Sequence, residues 1–361
     1  MDIRKIVITG GPCGGKTTAM SWIMNHFTTM GFKVLFVPET ATELIGGGVC
    51  PWTCGTNLDY QKIQCRLQQT KEQLFEQAAR TMPDEKILIV CDRGILDNRA
   101  YMNDEEFNAV LEDLGSDIVS MFDQYDAVFH LVTAAKGAES FYSLENNAAR
   151  YETAEQAREL DDRLIAAWTG HPHFKIIDNS TGFEEKLRKL INEMILFLGE
   201  PRTIGGKKRF LIRKPDTEWL ENNSFSHRVE IVETFIVSPK DEECIIHQRG
   251  DGEHFVCYET IRKAVNGKLL ELEKRLTEDQ YLELLEEADP HTMPIHKTRY
   301  YLYYNQQYFE LDLYPDMEDE ALIETEVSDR HDPVELPPEL TLIRDVTGIR
   351  EYRRRNLAKK I

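Results

Sequence analysis

Residues Gly10-Gly11-Pro12-Cys13-Gly14-Gly15-Lys16-Thr17 match the pattern G-x-x-x-x-G-K-[ST] over its whole length. The flanking chain makes the pattern constraining. Lys5-Ile6-Val7-Ile8-Thr9 is a β-branched run that predicts a buried strand leading into the glycines. Thr18 to Met30 has helical length, with an apolar stripe at Met20, Ile23, Met24 and Phe27. In a strand–loop–helix unit of this kind, backbone N–H groups close around phosphate oxygens and the helix N-terminus adds its positive dipole end. Gly11, Pro12, Cys13, Gly14, Gly15, Lys16, Thr17 and Thr18 are therefore expected to bind a nucleoside triphosphate, ATP or GTP. Lys16 would reach the β/γ-phosphates and Thr17 would ligate Mg2+.

Further runs at Lys33–Val37, Ile87–Cys91, Ala127–Val132 and Lys175–Ile177 are nearly continuous in apolar residues, as strands buried on both faces of a parallel sheet are. The first half thus reads as an α/β P-loop domain whose ligands sit at the carboxyl ends of the strands. Asp92 ends one run and fits the role of a Mg2+-holding carboxylate, with Arg93 a cation beside it. Glu39, in Pro38-Glu39-Thr40, either orients or deprotonates an acceptor hydroxyl, or serves as a carboxylate near a helix start. Asp97 is a further acceptor-site candidate. Arg150, in Asn146-Asn147-Ala148-Ala149-Arg150-Tyr151-Glu152, is the first choice for a lid arginine that neutralises charge during transfer. Arg158 is the second choice, with an ion pair to Glu155 on a solvated helix face as its competing reading. Asp178-Asn179-Ser180-Thr181 either contacts a base or caps the helix at Phe183–Leu198.

At 361 residues the chain calls for two domains, and the breaker cluster from Gly199 to Gly206 divides it into 1–199 and 200–361. A net charge of −20 argues against nucleic acid and against anionic membranes as partners of the whole chain. Absence of a secretory signal or long apolar run, with seven scattered cysteines, points to a reducing cytoplasm. Cys50 and Cys54 flank Pro-Trp-Thr near Cys65, a spacing that fits none of the common zinc patterns.

Beyond the boundary, strand alternation pairs like charges on one face: Lys297 with Arg299, Glu310 with Asp312, Glu324 with Glu326 and Glu271 with Glu273. Apolar residues Leu311, Leu313, Leu322, Ile323, Leu270 and Leu272 are read as the opposite face. A closed barrel with charges inside fits this pattern, against the alternative of a solvated sheet. A basic stretch, Arg350 with Arg353-Arg354-Arg355 and Lys359-Lys360, either touches anionic headgroups or folds back over the mouth of the barrel.

GGPCGGKTT, PET, the strand-CDRG segment and NAARYE…AREL resemble the AAA-type P-loop family that includes ribosylnicotinamide kinase domains, over about residues 1–198. The Asp92-Arg93 pair is similar to that of thymidylate kinases. The resemblance implies Mg2+-dependent phosphoryl transfer or nucleotide hydrolysis with an acceptor it does not name. From Lys207 to Ala358 the chain resembles the CYTH domain, the triphosphate tunnel metalloenzyme fold. The stretches that carry it are KKRFLI, Gln248-Arg249-Gly250, KLLELE, HKTRY, YFELD, ALIETE and Asn356-Leu357-Ala358. It implies an α+β domain with an antiparallel β tunnel, in which Glu271, Glu273, Glu310, Asp312, Glu324 and Glu326 face divalent metal. Arg209, Arg249, Lys297 and Arg299 would hold a phosphate chain. Two departures qualify it. The opening E-x-E-x-K strand of that family here reads Gly205-Gly206-Lys207-Lys208-Arg209, and Ile245 and His247 stand where arginines are usual. Loss of two ligands would weaken the metal by about 10- to 100-fold or more, which favours binding of a phosphorylated ligand over triphosphate hydrolysis. The two halves together resemble the family of the fly TRPL-translocation-defect protein, which implies GTP and phosphoinositide headgroup binding.

Overall fold

The computed structural model describes residues 2–139, 153–199, 202–203, 206–239, 241–265, 268–327 and 333–358. Its contacts divide the chain into Met1–Met194 and Ile195–Ile361. The first unit runs β1 Asp2–Thr9, α1 Lys16–Thr29, β2 Lys33–Val37, α2 Thr40–Gly46, α3 Asn57–Arg80 and β3 Lys86–Asp92. A 3-10 helix at Ile95–Tyr101 follows, then α4 Asp104–Leu114, α5 Ile118–Asp123, β4 Ala127–Leu131, α6 Ala154–Trp168, β5 Phe174–Ile177 and α7 Phe183–Leu198.

The apolar runs form five parallel strands in the order β2-β3-β1-β4-β5, with Ile6 opposite both Val90 and Ala127. Ile6, Val7, Ile8, Leu88, Val90 and Phe129 are fully buried, because helices cover both faces. One local expectation needs correction, and one helix was not anticipated. In α1 the buried stripe is Ala19, Ile23 and Phe27, whereas Met24 is exposed and Met20 half-buried. The helix starts at Lys16, and alanine at the first buried position lets it approach the sheet closely. The 24-residue α3 has no apolar stripe to announce it; its buried face is Tyr60, Gln61, Gln64, Cys65, Gln68 and Glu72. Hydrogen bonds replace apolar contact there. Gln64 bonds Asn98, Gln68 Nε2 donates to the Arg93 carbonyl at 3.1 Å, and Glu72 takes Lys5 at 3.3 Å and Tyr125 at 3.0 Å.

The second unit runs β6 Arg202–Thr203, β7 Gly206–Arg213, α8 Thr217–Asn222, β8 Ser226–Ile236, β9 Glu242–Gly250, β10 Phe255–Val265 and β11 Lys268–Leu276. It continues with α9 Glu278–Leu285, β12 Ile295–Tyr304, β13 Gln307–Leu313, β14 Glu320–Val327, β15 Leu342–Asp345 and α10 Arg354–Leu357. Its strands form one ten-stranded antiparallel sheet, β15-β7-β14-β13-β12-β8-β9-β10-β11-β6. The order is linear, and no ladder joins its two ends among the described residues.

One face is apolar: Phe210, Ile212, Tyr300, Phe309, Leu311 and Ile323 pack with Leu220 of α8. The other carries the charges, which are nonetheless buried: Lys297 is 2% exposed, Asp312 4% and Glu324 5%. Leu322 corrects the alternation reading, since it shares the face of Glu324 and packs with Leu211, Phe235 and Val346. Leu272, expected to pack, is 46% exposed. The chain after β15 folds back on that charged side. Val346 and Ala358 join the Leu322 cluster, the Met293 amide donates to the Ala358 carbonyl at 2.6 Å, and Arg355 pairs with Asp289 at 2.5 Å. Phe309 is fully buried at the middle of the apolar face. Phe309→Ala is expected to cost about 3–5 kcal/mol, read as a lowered urea midpoint for this unit.

Candidate functional site

The phosphate loop closes because its backbone takes turns that side chains forbid. Gly10 has φ 145°, and a Cβ there would lie 2.2 Å from the Leu131 carbonyl oxygen. A Cβ on Gly11 would meet Asp161 Oδ1 at 2.6 Å. Gly15 precedes α1 without a side-chain cap, so the first helical N–H groups point at the loop's interior and suit an anion.

Asp161 of α6 holds this loop to the sheet. Its Oδ1 accepts from the Gly11 amide at 3.0 Å, the Thr133 amide at 3.1 Å and His130 Nε2 at 2.9 Å. Its Oδ2 takes Lys136 at 2.9 Å. Burial opposes its ionisation, yet His130 and Lys136 keep the carboxyl below the usual carboxylate range. Lys186 of α7 braces the far side, donating to the carbonyls of Gly14 at 3.2 Å and Val132 at 2.6 Å and to Asn179 Oδ1 at 2.7 Å. Burial lowers its ammonium to about 8.

Around the loop mouth stand Lys16, Glu39, Asp92 and Arg93. Burial and the nearby Arg93 lower Lys16 to about 8, against the pull of Asp92 and Glu39. Burial raises Asp92, against Lys16, and its Oδ1 is buried without a hydrogen-bond partner. Such an orphaned oxygen fits a cation or its water, and Thr17 is exposed on the first turn of α1. No cluster of three or more His, Cys, Asp or Glu ligands occurs among the described residues. A divalent ion at Thr17 and Asp92 would therefore be completed by phosphate oxygens and water. Glu39 is half-buried, which opposes its ionisation, yet Arg93 and Lys16 bring its carboxyl down to about 2; it accepts from Arg93 Nε at 2.6 Å and Thr42 at 2.6 Å.

Arg93 itself sits at φ 72°, a left-handed conformation that costs a non-glycine residue roughly 1–2 kcal/mol. Its amide donates to the Ile8 carbonyl at 3.1 Å, and its own carbonyl receives Gln68. Asp97, the further acceptor-site candidate, faces inward. It is 2% exposed and accepts from Thr9, the Gly94 amide at 2.8 Å, Trp168 at 3.3 Å and Arg93 at 3.3 Å.

Arg158 donates to Glu155 at 2.9 Å and to the Ala135 carbonyl at 2.9 Å. Arg150 lies outside the described residues. Asn179 donates to the carbonyls of Thr133 at 2.8 Å and Lys136 at 2.7 Å, and Asp178 accepts from Ser180 and Lys189, so these two side chains brace the loop. All seven cysteines are free thiols.

In the second unit the charged face gathers most of the expected residues. Lys297 lies 3.0 Å from both Asp312 and Glu233, and Arg299 lies 2.6 Å from Asp312 and 2.7 Å from Glu310. Arg209 pairs with Glu324, while Lys207 sits 3.6 Å from both Glu310 and Glu324. Burial opposes ionisation of Asp312 and Glu233, yet Arg299 and Lys297 hold Asp312 far below the usual range and Arg354 and Lys297 do the same for Glu233. Against burial, Lys207 and Arg209 bring Glu324 down to about 2. Glu271 pairs with Arg262 at 2.7 Å, and Thr260 donates to Glu273 at 3.5 Å. Arg249 lies over the Tyr258 ring at 5.5 Å, and burial lowers His247 on the same face to about 4. Glu326 departs from its expected enclosure and is exposed opposite Lys207 in the ladder.

Sequence reasoning did not single out Asp161, Lys186, Glu233 or Arg262, whereas Arg354, named within the basic stretch, lies 3.7 Å from Glu233. A signal was present for three. Asp161 stands in the stripe of Leu164, Ile165 and Trp168, Lys186 in that of Leu190, and Glu233 on the Ile231–Phe235 face. A lone charge in an apolar stripe needs a buried partner.

A strand-to-helix glycine loop with its lysine and an orphaned strand-end carboxylate defines a P-loop nucleotide-binding domain. The chain belongs to the AAA domain family, whose model matches residues 5–186. No curated protein matches. Solved structures titled as the inorganic triphosphatase NE1496 and the hypothetical protein NE1496 are similar to the C-terminal part. The first is 22% identical with TM-score 0.32, covering 43% of this chain and 97% of that one. The second is 21% identical with TM-score 0.32, covering 44% and 99%. Among the described residues no helix is long and apolar enough to cross a membrane.

Three outcomes follow from the loop. Lys16 has to be charged to meet phosphate, so nucleotide affinity is full below its pKa of about 8 and falls by about tenfold per pH unit above it. Lys16→Arg flattens that profile in titration calorimetry. The unliganded fold gains stability between pH 8 and 10.5, where the unfolded chain still binds the proton that folded Lys16 has released. Asp161→Ala strands His130 Nε2 and the Gly11 and Thr133 amides, while Lys136 keeps Asp162 at 2.6 Å, and is expected to cost about 3–5 kcal/mol by denaturant unfolding.

Proposed function

We propose that the N-terminal unit is a Mg2+-dependent phosphotransferase or NTPase that uses ATP or GTP, and that the C-terminal unit binds a phosphorylated ligand. The observation that carries the first part is the orphaned Asp92 Oδ1 beside Lys16, with the ionised Glu39 next to both. Lys16 draws the β- and γ-phosphates into the loop, and the α1 N-terminus receives their charge. When bound, Mg2+ at Thr17 and Asp92 supplies neutralisation of charge on the transferring phosphoryl group. At a pKa of about 2, Glu39 is too weak a base to take a proton early, so it orients the attacking hydroxyl. A loose phosphoryl-transfer transition state asks for little more. Arg150 and Arg158 are the candidate lid cations.

Binding without hydrolysis is the reading favoured for the second unit. Glu310, Asp312, Glu324 and Glu233 all have Lys or Arg partners, two of them from β7, where the related tunnel fold has glutamates. The shared phosphate chemistry covers a free phosphate ester and a phosphoinositide headgroup alike. Free thiols at all seven cysteines suit a reducing cytoplasm.

Calorimetric titration of ATP and GTP with Mg2+ into wild-type and Lys16→Ala protein, with product analysis, tests the proposal. Binding is expected to vanish in Lys16→Ala. Asp92→Asn is expected to keep nucleotide but lose turnover on the order of 10²-fold. Binding that survives Lys16→Ala would move the main phosphate site to the second unit.

A further inference from the structure

Beside the phosphate loop a group of buried polar atoms has no partner in the fold. Thr40 Oγ1 on α2 and Tyr60 OH and Gln61 Oε1 on α3 are buried without hydrogen bonds. Their side chains are 3%, 2% and 3% exposed. A buried polar group left unsatisfied costs about 1–3 kcal/mol, so several close together call for a partner from outside the fold, a ligand or bound water.

The fold brings them together. Thr40 directly follows Glu39, and α2 and α3 pack on one another. Burial, with Cys50, Cys54 and the Glu39 carboxylate close by, pushes the Tyr60 hydroxyl up to about 12, so it stays protonated. Gln61 lies on the α3 face that meets the 3-10 helix. One turn before it Asn57 donates to the Tyr101 carbonyl at 3.0 Å, and one turn after it Gln64 bonds Asn98. These side chains thus lie buried where α2, the start of α3 and the 3-10 helix pack together, next to Glu39 and Arg93, and a ligand that reaches them opens a cleft at that junction.

The chemistry of the cleft selects its occupant. Gln61 Oε1 and the ionised Glu39 only accept hydrogen bonds, while the hydroxyls of Thr40 and Tyr60 both donate and accept. A ligand that satisfies them carries several hydroxyl groups. Charge narrows the class. The cations within reach are already engaged: Arg93 bonds Glu39 at 2.6 Å and Asp97 at 3.3 Å, Lys71 pairs with Glu43 at 2.6 Å, and Lys16 serves the phosphate loop, so none is left over beside these carboxylates. A phosphate monoester would bring close to two further negative charges against them.

We infer that Thr40, Tyr60 and Gln61 form the acceptor subsite of the phosphotransfer reaction, and that it takes an uncharged, polyhydroxylated molecule instead of a phosphate monoester. The inference rests on the phosphotransferase reading of the same unit.

The test uses the full chain saturated with Mg2+ and a non-hydrolysable ATP or GTP analogue. Glycerol, myo-inositol, ribose, uridine and guanosine are titrated in, each alongside its monophosphate. Label transfer from the γ-phosphate to the same compounds is followed separately. An uncharged member is expected to bind at least about tenfold more tightly than its monophosphate. Tyr60→Phe and Gln61→Leu are each expected to weaken it by about tenfold with nucleotide affinity unchanged. Because both changes remove an unsatisfied buried atom, the unliganded protein should melt about 2–4 °C higher, which a merely structural role would not produce. Thr40→Val probes the third atom from a separate helix. Tighter binding of a monophosphate, no binding by any member, or variants with unaltered acceptor affinity would overturn the subsite. Binding that responds to the variants without any transfer would leave the subsite standing and overturn the phosphotransferase reading.

Discussion

One buried carboxylate organises the N-terminal unit. Asp161 receives the Gly11 amide of the phosphate loop, the Thr133 amide beyond β4, a histidine of β4 and Lys136. Without it the loop would have to give up an N–H to solvent or to nothing, and a flexible glycine run pays heavily in entropy for being ordered. With it, the loop is held open in the shape that phosphate requires before any ligand arrives. Lys186 acts from the opposite side by taking the loop's carbonyl oxygens, so a cation and an anion from separate helices share the task. Such a preorganised cradle costs the ligand little reorganisation.

The second unit uses charge differently. On its inner face the residues form a network in which cations and carboxylates alternate from strand to strand. On β7, Lys207 and Arg209 reach the carboxylates of β13 and β14. Arg354, from the chain that folds back after β15, lies 3.7 Å from Glu233. A divalent ion would have to displace fixed cations to reach these oxygens. An anion could instead enter by taking over some of the cations, with the carboxylates setting how strongly it must compete.

Much of this was legible in the sequence where chemistry is local. The phosphate loop announces itself because strand, glycines, lysine and helix are contiguous, and Asp92 is found at the end of its strand. Lys297, Arg299, Glu310 and Asp312 were found because alternation places them on one face. What escaped was long-range or polar. Asp161 meets Gly11 across 150 positions and Lys186 meets Gly14 across 172. The helix α3 buries glutamines and a glutamate, so periodicity of apolar residues had nothing to detect. Leu322 was placed on the wrong face by treating two consecutive residues as one side of a strand. Asp97 looked like an acceptor residue because it is a carboxylate near the metal-type aspartate, and only the fold shows its oxygens already occupied.

The ladder of the second unit has a consequence for how the chain is made. β7 is its first long strand, yet it pairs with β14 and β15, Phe210 lying opposite both Ile323 and Asp345. During synthesis β7 therefore emerges with both of its edges unpaired and waits for more than a hundred further residues before either neighbour exists. The N-terminal sheet has all its strands much earlier and can close first. The ribosome thus carries a finished nucleotide domain trailing an open, pairing-competent strand, and that interval is when the chain most needs protection from association with other chains.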